Sequence, residues 1–227
     1  MSYDPRTIAF LAEVLFPPVK LAPKVVQGIH NSLFQKPELS YQNFQVAQDG
    51  IHLTNLPETP GAVSSVTFLP DRLVVREELR ATTLEDFATR LVNVAGISLQ
   101  QLKIPLSVAQ QFVVRSLVTP RHVKDSRDFL SQRLMVGSTD TWRKLGRPLD
   151  SVGLRLTFPQ HGQNRELFNV RIESWNQDTR SIWIENVGSF TQPIRTEEAP
   201  QLTTGLNSTY NFMAGSVCDF IEQFDRV

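Results

Sequence analysis

Apolar positions recur along the chain with two different periods, and the switches between them predict its elements. Ile8 to Phe16 is a short apolar and aromatic run closed by Pro17-Pro18, which predicts a largely buried strand. Pro23 suits the first turn of a helix, and Val25, Val26, Ile29, Leu33 and Phe34 give that helix one apolar face until Pro37 stops it. Tyr41, Phe44 and Val46 form one candidate strand and Ile51, His52 and Leu53 another, with Asp49-Gly50 as the turn between them. Ser64–Leu69 and Arg72–Glu78 flank Pro70-Asp71, a second hairpin. A helix follows: Thr82 and Glu85 match a capping box, Leu84, Phe87, Leu91 and Val94 form its stripe, and Gly96 marks its end.

The second half repeats this grammar. Phe112–Val118 reads as a strand ending at Pro120. Asp125 can cap a helix carrying Phe129, Leu130, Leu134 and Met135. Val152, Leu154, Leu156 and Phe158 alternate with period two, as do Phe168, Val170 and Ile172. Ile182, Trp183 and Ile184 form a further strand after a turn at 176–179. Leu206, Tyr210, Met213, Val217, Phe220 and Phe224, spaced by fours and threes, predict one long helix with a continuous apolar seam.

Side by side, the halves share an order of elements. The expected class is α+β: two similar β-α-β-β-β(-β)-α units, residues 1–104 and 105–227, packed as one globular protein. Their antiparallel strands would form one or two curved sheets with helices on one face. Each long helix can bury five or six large side chains, and at roughly 1.5–3 kcal/mol apiece this outweighs local propensity several-fold.

The strand before Pro17-Pro18-Val19, the hairpin-rich middle and the closing helix with Tyr210, Phe212 and Phe220 resemble a sporadically distributed family of bacterial proteins of about this length, whose biochemical role is not established. The repeated unit also resembles the duplicated half of TATA-box-binding-protein folds. That resemblance implies a saddle-shaped sheet with helices on its convex side, and, for DNA binding, phenylalanine wedges exposed on the concave side.

Composition narrows the chemistry. The 227 residues carry 23 Lys+Arg and 23 Asp+Glu, so no wholly phosphate-neutralising surface is expected. A single cysteine, Cys218, excludes an internal disulfide framework and any zinc site built on cysteine pairs. Beside Asp219 and next to the seam of the last helix, it is expected to pack and not to react. His30, His52, His122 and His161 have no helical metal-ligand spacing, Gly215-Ser216 lies within a helix, and Gly137-Ser138-Thr139 fits no phosphate loop. Glu77 and Glu78 are neighbours on a strand and should point to opposite faces. No export signal or membrane span is apparent, so a cytoplasmic protein without cofactor, metal or catalytic constellation is expected.

One charge asymmetry stands out. From Arg115 to Arg155, nine basic residues face four acidic ones, so this segment is +5 and the remainder −5. Within it Arg121, Lys124, Arg127, Trp142, Arg143, Lys144 and Arg147 are the candidate binding residues. The leading expectation is a non-catalytic interaction or structural module, binding a protein partner or a second copy of itself. Nucleic-acid or phosphate-ligand binding through residues 115–155 is the alternative, and a small apolar ligand enclosed between sheet and last helix is a further one.

Overall fold

A computed structural model describes residues 3–135, 142–147, 149–162 and 165–226. The first half contains strands β1 (Arg6–Leu15), β2 (Asn43–Ala47), β3 (Gly50–Thr54), β4 (Val63–Leu69) and β5 (Arg72–Glu78), with helices α1 (Pro23–Phe34) and α2 (Leu84–Gln101). The second contains β6 (Leu106–Ser107), β7 (Ala109–Val118), β8 (Gly153–Phe158), β9 (Glu166–Ser174), β10 (Ile182–Phe190) and β11 (Ile194–Arg195). Its helices are α3 (Ser126–Asp128), continued by wider π-helical turns over Phe129–Leu134, then α4 (Leu202–Asn211) and α5 (Cys218–Glu222). A 3₁₀ segment, Thr196–Gln201, precedes α4, and π-helical turns over Phe212–Val217 join α4 to α5.

Nine strands form one antiparallel sheet in the order β2-β3-β4-β5-β1-β7-β10-β9-β8. β6 and β11 pair separately. Outward from the central β1–β7 pair, each half sets its last strand of this sheet beside its first and then works back to the edge. The protein is thus α+β, with a large antiparallel sheet and its helices on one side: α1 lies on β2 and β3, α2 on β1 and β5, and α4 on β7 and β10. Register makes the buried rows continuous. Leu73, Val14 and the amide of Gln110 share one row, and Val75, Ala12 and Phe112 the next. Phe10 continues this face and stacks on Phe87 of α2 with ring centroids 5.2 Å apart.

Turn chemistry and capping follow the sequence closely, with shifts that have physical causes. Pro70-Asp71 closes the β4–β5 hairpin as expected, because Leu69 pairs directly with Arg72. The first hairpin turns one residue earlier than expected, at 48–49, since Ala47 pairs with Gly50. α2 is capped by Thr83, not Thr82: the Asp86 backbone N–H donates to Thr83 Oγ1 at 3.1 Å. It also runs past Gly96 to Gln101, because Ser98 and Leu99 extend the buried stripe. Phe34, expected on the buried face of α1, is 60% exposed, and Met135 lies exposed beyond the α3 segment.

The last helix is not one regular helix. Leu206, Met213 and Val217 are buried as expected, but beyond Val217 the buried apolar positions are Cys218 and Ile221, while Tyr210, Phe220 and Phe224 are only partly covered. Each π-helical turn carries extra residues, so the 212–217 segment rotates the seam by about one position. Cys218 is fully buried and its thiol is pushed up to about 12, first by burial and then by Asp219 and Glu222.

The termini meet. The Tyr3 hydroxyl donates to Asp225 Oδ2 at 2.7 Å, and the backbone N–H groups of Arg121 and His122 donate to the same carboxylate at 2.6 and 3.1 Å. Burial alone would raise the Asp225 carboxyl; those donors hold it below its ordinary value.

α4 lies close to the sheet because two glycines leave room. A Cβ at Gly205 would sit 2.4 Å from Phe112 Cε2, and one at Gly188 2.2 Å from Thr209 Oγ1. Gly205→Ala and Gly188→Ala should each lower stability by about 1–3 kcal/mol, whereas Gly215→Ala, with nothing within 4 Å, should be neutral or stabilising. Urea unfolding midpoints of the three variants check this ordering.

Candidate interaction surface

The strand alternation that builds the core also builds the opposite face of the sheet. Ala9 of β1 sits opposite both Glu78 and Arg115, Arg115 opposite Glu185, Glu185 opposite Arg171, and Arg171 opposite Arg155. This row is an ion ladder. Arg115 Nε reaches Glu185 Oε2 at 2.7 Å, and its Nη1 lies 3.6 Å from Glu78. Arg171 Nη2 donates to Glu173 at 2.8 Å and its Nη1 to Glu185 at 3.4 Å. Trp183 lies between the two guanidiniums, its ring centroid 6.0 Å from that of Arg115 and 5.0 Å from that of Arg171. The hydrogen bond to Glu173 is the main reason the Arg171 guanidinium is held even more firmly protonated than usual.

Every phenylalanine carried by the nine strands faces the helix layer, as the paired rows require. The sheet's free face therefore lacks the phenylalanine wedges that the TATA-box-binding-protein resemblance calls for.

Among the described residues, the sheet ends at β8. Leu154 and Leu156 turn toward the helix layer, while Arg155 and Thr157 turn to the free face. Beside this end, Phe168 stacks on Phe212 with centroids 4.5 Å apart, and Phe158 meets the same ring edge-on at 5.1 Å. These rings, with His161, Glu166 and Asn211, line a groove of about 760 Å³. A second hollow of about 340 Å³ shares Glu166 and Ser208 and carries the groove on along α4. Phe158 is 39% exposed at its rim. At the opposite end α1 covers β2 and β3, and Phe44 packs against His30.

Sequence reasoning missed a buried polar cluster under the first half. Glu77 and Glu78 do face opposite ways, but both are paired. Glu78 joins the ion ladder, and Glu77, 3% exposed, accepts from Ser64 Oγ at 2.8 Å and lies 3.4 Å from Arg90 Nε and 3.8 Å from Arg80 Nε. The Arg90 guanidinium sits over the Tyr41 ring at 5.4 Å. Leu79 and Ala81, on either side of Arg80, adopt left-handed φ angles of 54° and 53°, a strain of order 1 kcal/mol each that the cluster holds in place. Burial pushes the Tyr41 phenol up to about 12 against the pull of Arg90. The visible signal was the Glu-Glu pair leading into Arg80; nothing local linked it to Arg90 or Tyr41.

Two of the predicted basic residues are engaged within the chain, and the others lie at or near the surface. Arg121 bonds Glu222 at 3.0 Å and lies over the Tyr3 ring, and Arg127 grips Asp125 at 2.6 Å. Lys124, Arg143, Lys144 and Arg147 are exposed and Trp142 is half-buried. Gly137-Ser138-Thr139 and Asp140 lie outside the described residues. Among the described residues no group of three or more His, Cys, Asp or Glu could hold a metal ion, and no helix is long and apolar enough to cross a membrane. No protein-family model matches the chain, nor does any curated protein.

Burial of the charged form raises the Glu77 carboxyl, although the Ser64 hydroxyl and the two arginines oppose the shift. A carboxyl raised by folding binds its proton more tightly in the folded chain. Its stabilising contribution is complete below the unfolded value of 4.5 and is lost as pH rises through the folded value. Glu77→Gln cannot titrate, so its stability relative to the parent chain should improve as pH is raised from below 4.5 toward neutrality. Urea midpoints measured across that range report the difference, and a difference that stays flat contradicts it.

Proposed function

We propose that the protein is a non-catalytic interaction module that receives a segment of another protein at the β8 end of its sheet. The observation that carries this reading is the pairing of a terminal strand with an open aromatic groove on the same side. A terminal strand offers a row of backbone donors and acceptors, and the groove offers somewhere for alternate side chains to go. In the same reading, residues 1–104 and 105–227 are two like units. Support comes from the strand order about β1 and β7, in which each half sets its last strand of the sheet beside its first. The ion ladder supports a structural role for the free face, because most of its charges are already paired within the chain. A cytoplasmic location is part of the proposal, supported by a lone, fully buried thiol.

A displayed library of random peptides, panned against the immobilised full chain, tests the module. Enriched peptides should bind the parent protein and lose at least about tenfold in affinity against Phe158→Ser, a change at the partly exposed ring on the groove's rim, with the variant's urea midpoint confirming that it stays folded. Failure to enrich any peptide, or equal binding to the variant, overturns the proposal.

A further inference from the structure

Arg155 is the exposed end of the ion ladder. Its cross-strand neighbour is Arg171, another cation, whose guanidinium is already engaged by Glu173 and Glu185. Among the described residues, Arg155 has no ion-pair partner of its own. Like charges directly opposite each other on a sheet destabilise the pairing, and an opposite charge on the next strand relieves it. The ladder Glu78–Arg115–Glu185–Arg171, which crosses the uncharged Ala9 of β1, alternates in sign and stops alternating at β8.

The other face of the same strand sets a second requirement. Leu154 and Leu156 point to the helix layer, and Phe158 follows at the mouth of the groove formed with Phe168 and Phe212. A strand laid against β8 must share its alternation, since successive residues face opposite sides of a sheet. Its groove-side residues then meet aromatic surface, and its free-face residues meet Arg155.

We infer that β8 accepts, as a tenth strand, an extended segment of a partner protein in which apolar residues alternate with an acidic one. The apolar residues enter the groove at Phe158, and the acid pairs with Arg155. This rests on the interaction-module reading and names the chemistry of the partner. A second copy of the chain fits poorly. Two-fold pairing of β8 with itself gathers Arg155 and Arg171 of both copies on one face. The far edge, β2, offers Asn43, Gln45 and Ala47 on that face and no acid. The first half fills the corresponding position with its own chain, since beyond β5, β4 and β3 it places β2, with Phe44 toward the helix layer, where the second half stops at four strands.

The test uses two fluorescein-labelled octapeptides of alternating valine and threonine, one with glutamate and one with lysine at a central free-face position. Fluorescence anisotropy is measured against the full-length parent, Arg155→Glu, Arg155→Ala and Phe158→Ser. The glutamate peptide should bind the parent at least tenfold more tightly than the lysine peptide. That preference should vanish in Arg155→Ala and reverse in Arg155→Glu, and Phe158→Ser should weaken both peptides together. Two peptides bound equally, or a preference that Arg155→Glu leaves unmoved, overturn the acid pairing while the interaction module stands on its library result. Binding of neither peptide, with library peptides still captured, overturns strand addition alone. A parent dimer by sedimentation velocity that Phe158→Ser dissociates makes the occupant a second copy and overturns the inference.

Discussion

The antiparallel union of β1 with β7 is the constraint on which the remaining architecture depends. These are the longest strands, ten residues each, and they come from opposite halves of the chain. Each has its other edge taken by the last long strand of its own half, so the union converts two four- or five-stranded arrays into one sheet without a central edge. It also sets the rows. Once Ala12 lies opposite Phe112 and Phe10 opposite Val114, the helix side of every other strand follows by alternation.

The helix layer then has to fit a surface laid down by strands from both halves. α2 brings Phe87 onto Phe10, and α4 comes down over Phe112 at Gly205, while Thr209 meets β10 at Gly188. Thr209 also gives its backbone carbonyl to the buried Asn186 side chain at 2.8 Å. The clasp of Tyr3, Arg121 and Asp225 joins segments from both halves of the chain. Two arginines singled out in the sequence are also paired within the chain: Arg121 with Glu222 beside the clasp, and Arg127 with Asp125 at the cap of α3.

The two ends of the sheet differ in a way that bears on the proposed function. α1 covers the β2 end, whereas the β8 end leaves aromatic rings beside its groove and an arginine facing another arginine. Local choices are consistent at several places: Thr83 and Asp125 cap α2 and α3, Pro70-Asp71 closes its hairpin, and acids meet bases along the ion ladder. The proposed binding role is put where such consistency lapses, because the missing complement can come from outside.

Much of the fold was legible in the chain itself. The strands around Phe10, Val75, Val114 and Val170, the Pro70-Asp71 turn and the helices over Phe87 and Leu206 follow from period and turn chemistry, which depend on neighbours a few residues away. The stop of α2 was misplaced because a single glycine does not end a helix whose buried stripe continues beyond it, here through Ser98 and Leu99. Phe220 was placed on the seam because spacing rules assume regular turns, and the widened turns over 212–217 break that assumption. Glu77 could be assigned a face but not its partners, and Arg155 a charge but not its like-charged neighbour. Periodicity by itself determined which residues form strands and helices and which side of each is apolar. Which strands lie side by side, and hence which charges are paired and which edge is left open, was decided only by tertiary structure, because those pairings join residues tens of positions apart whose encounter no local pattern encodes.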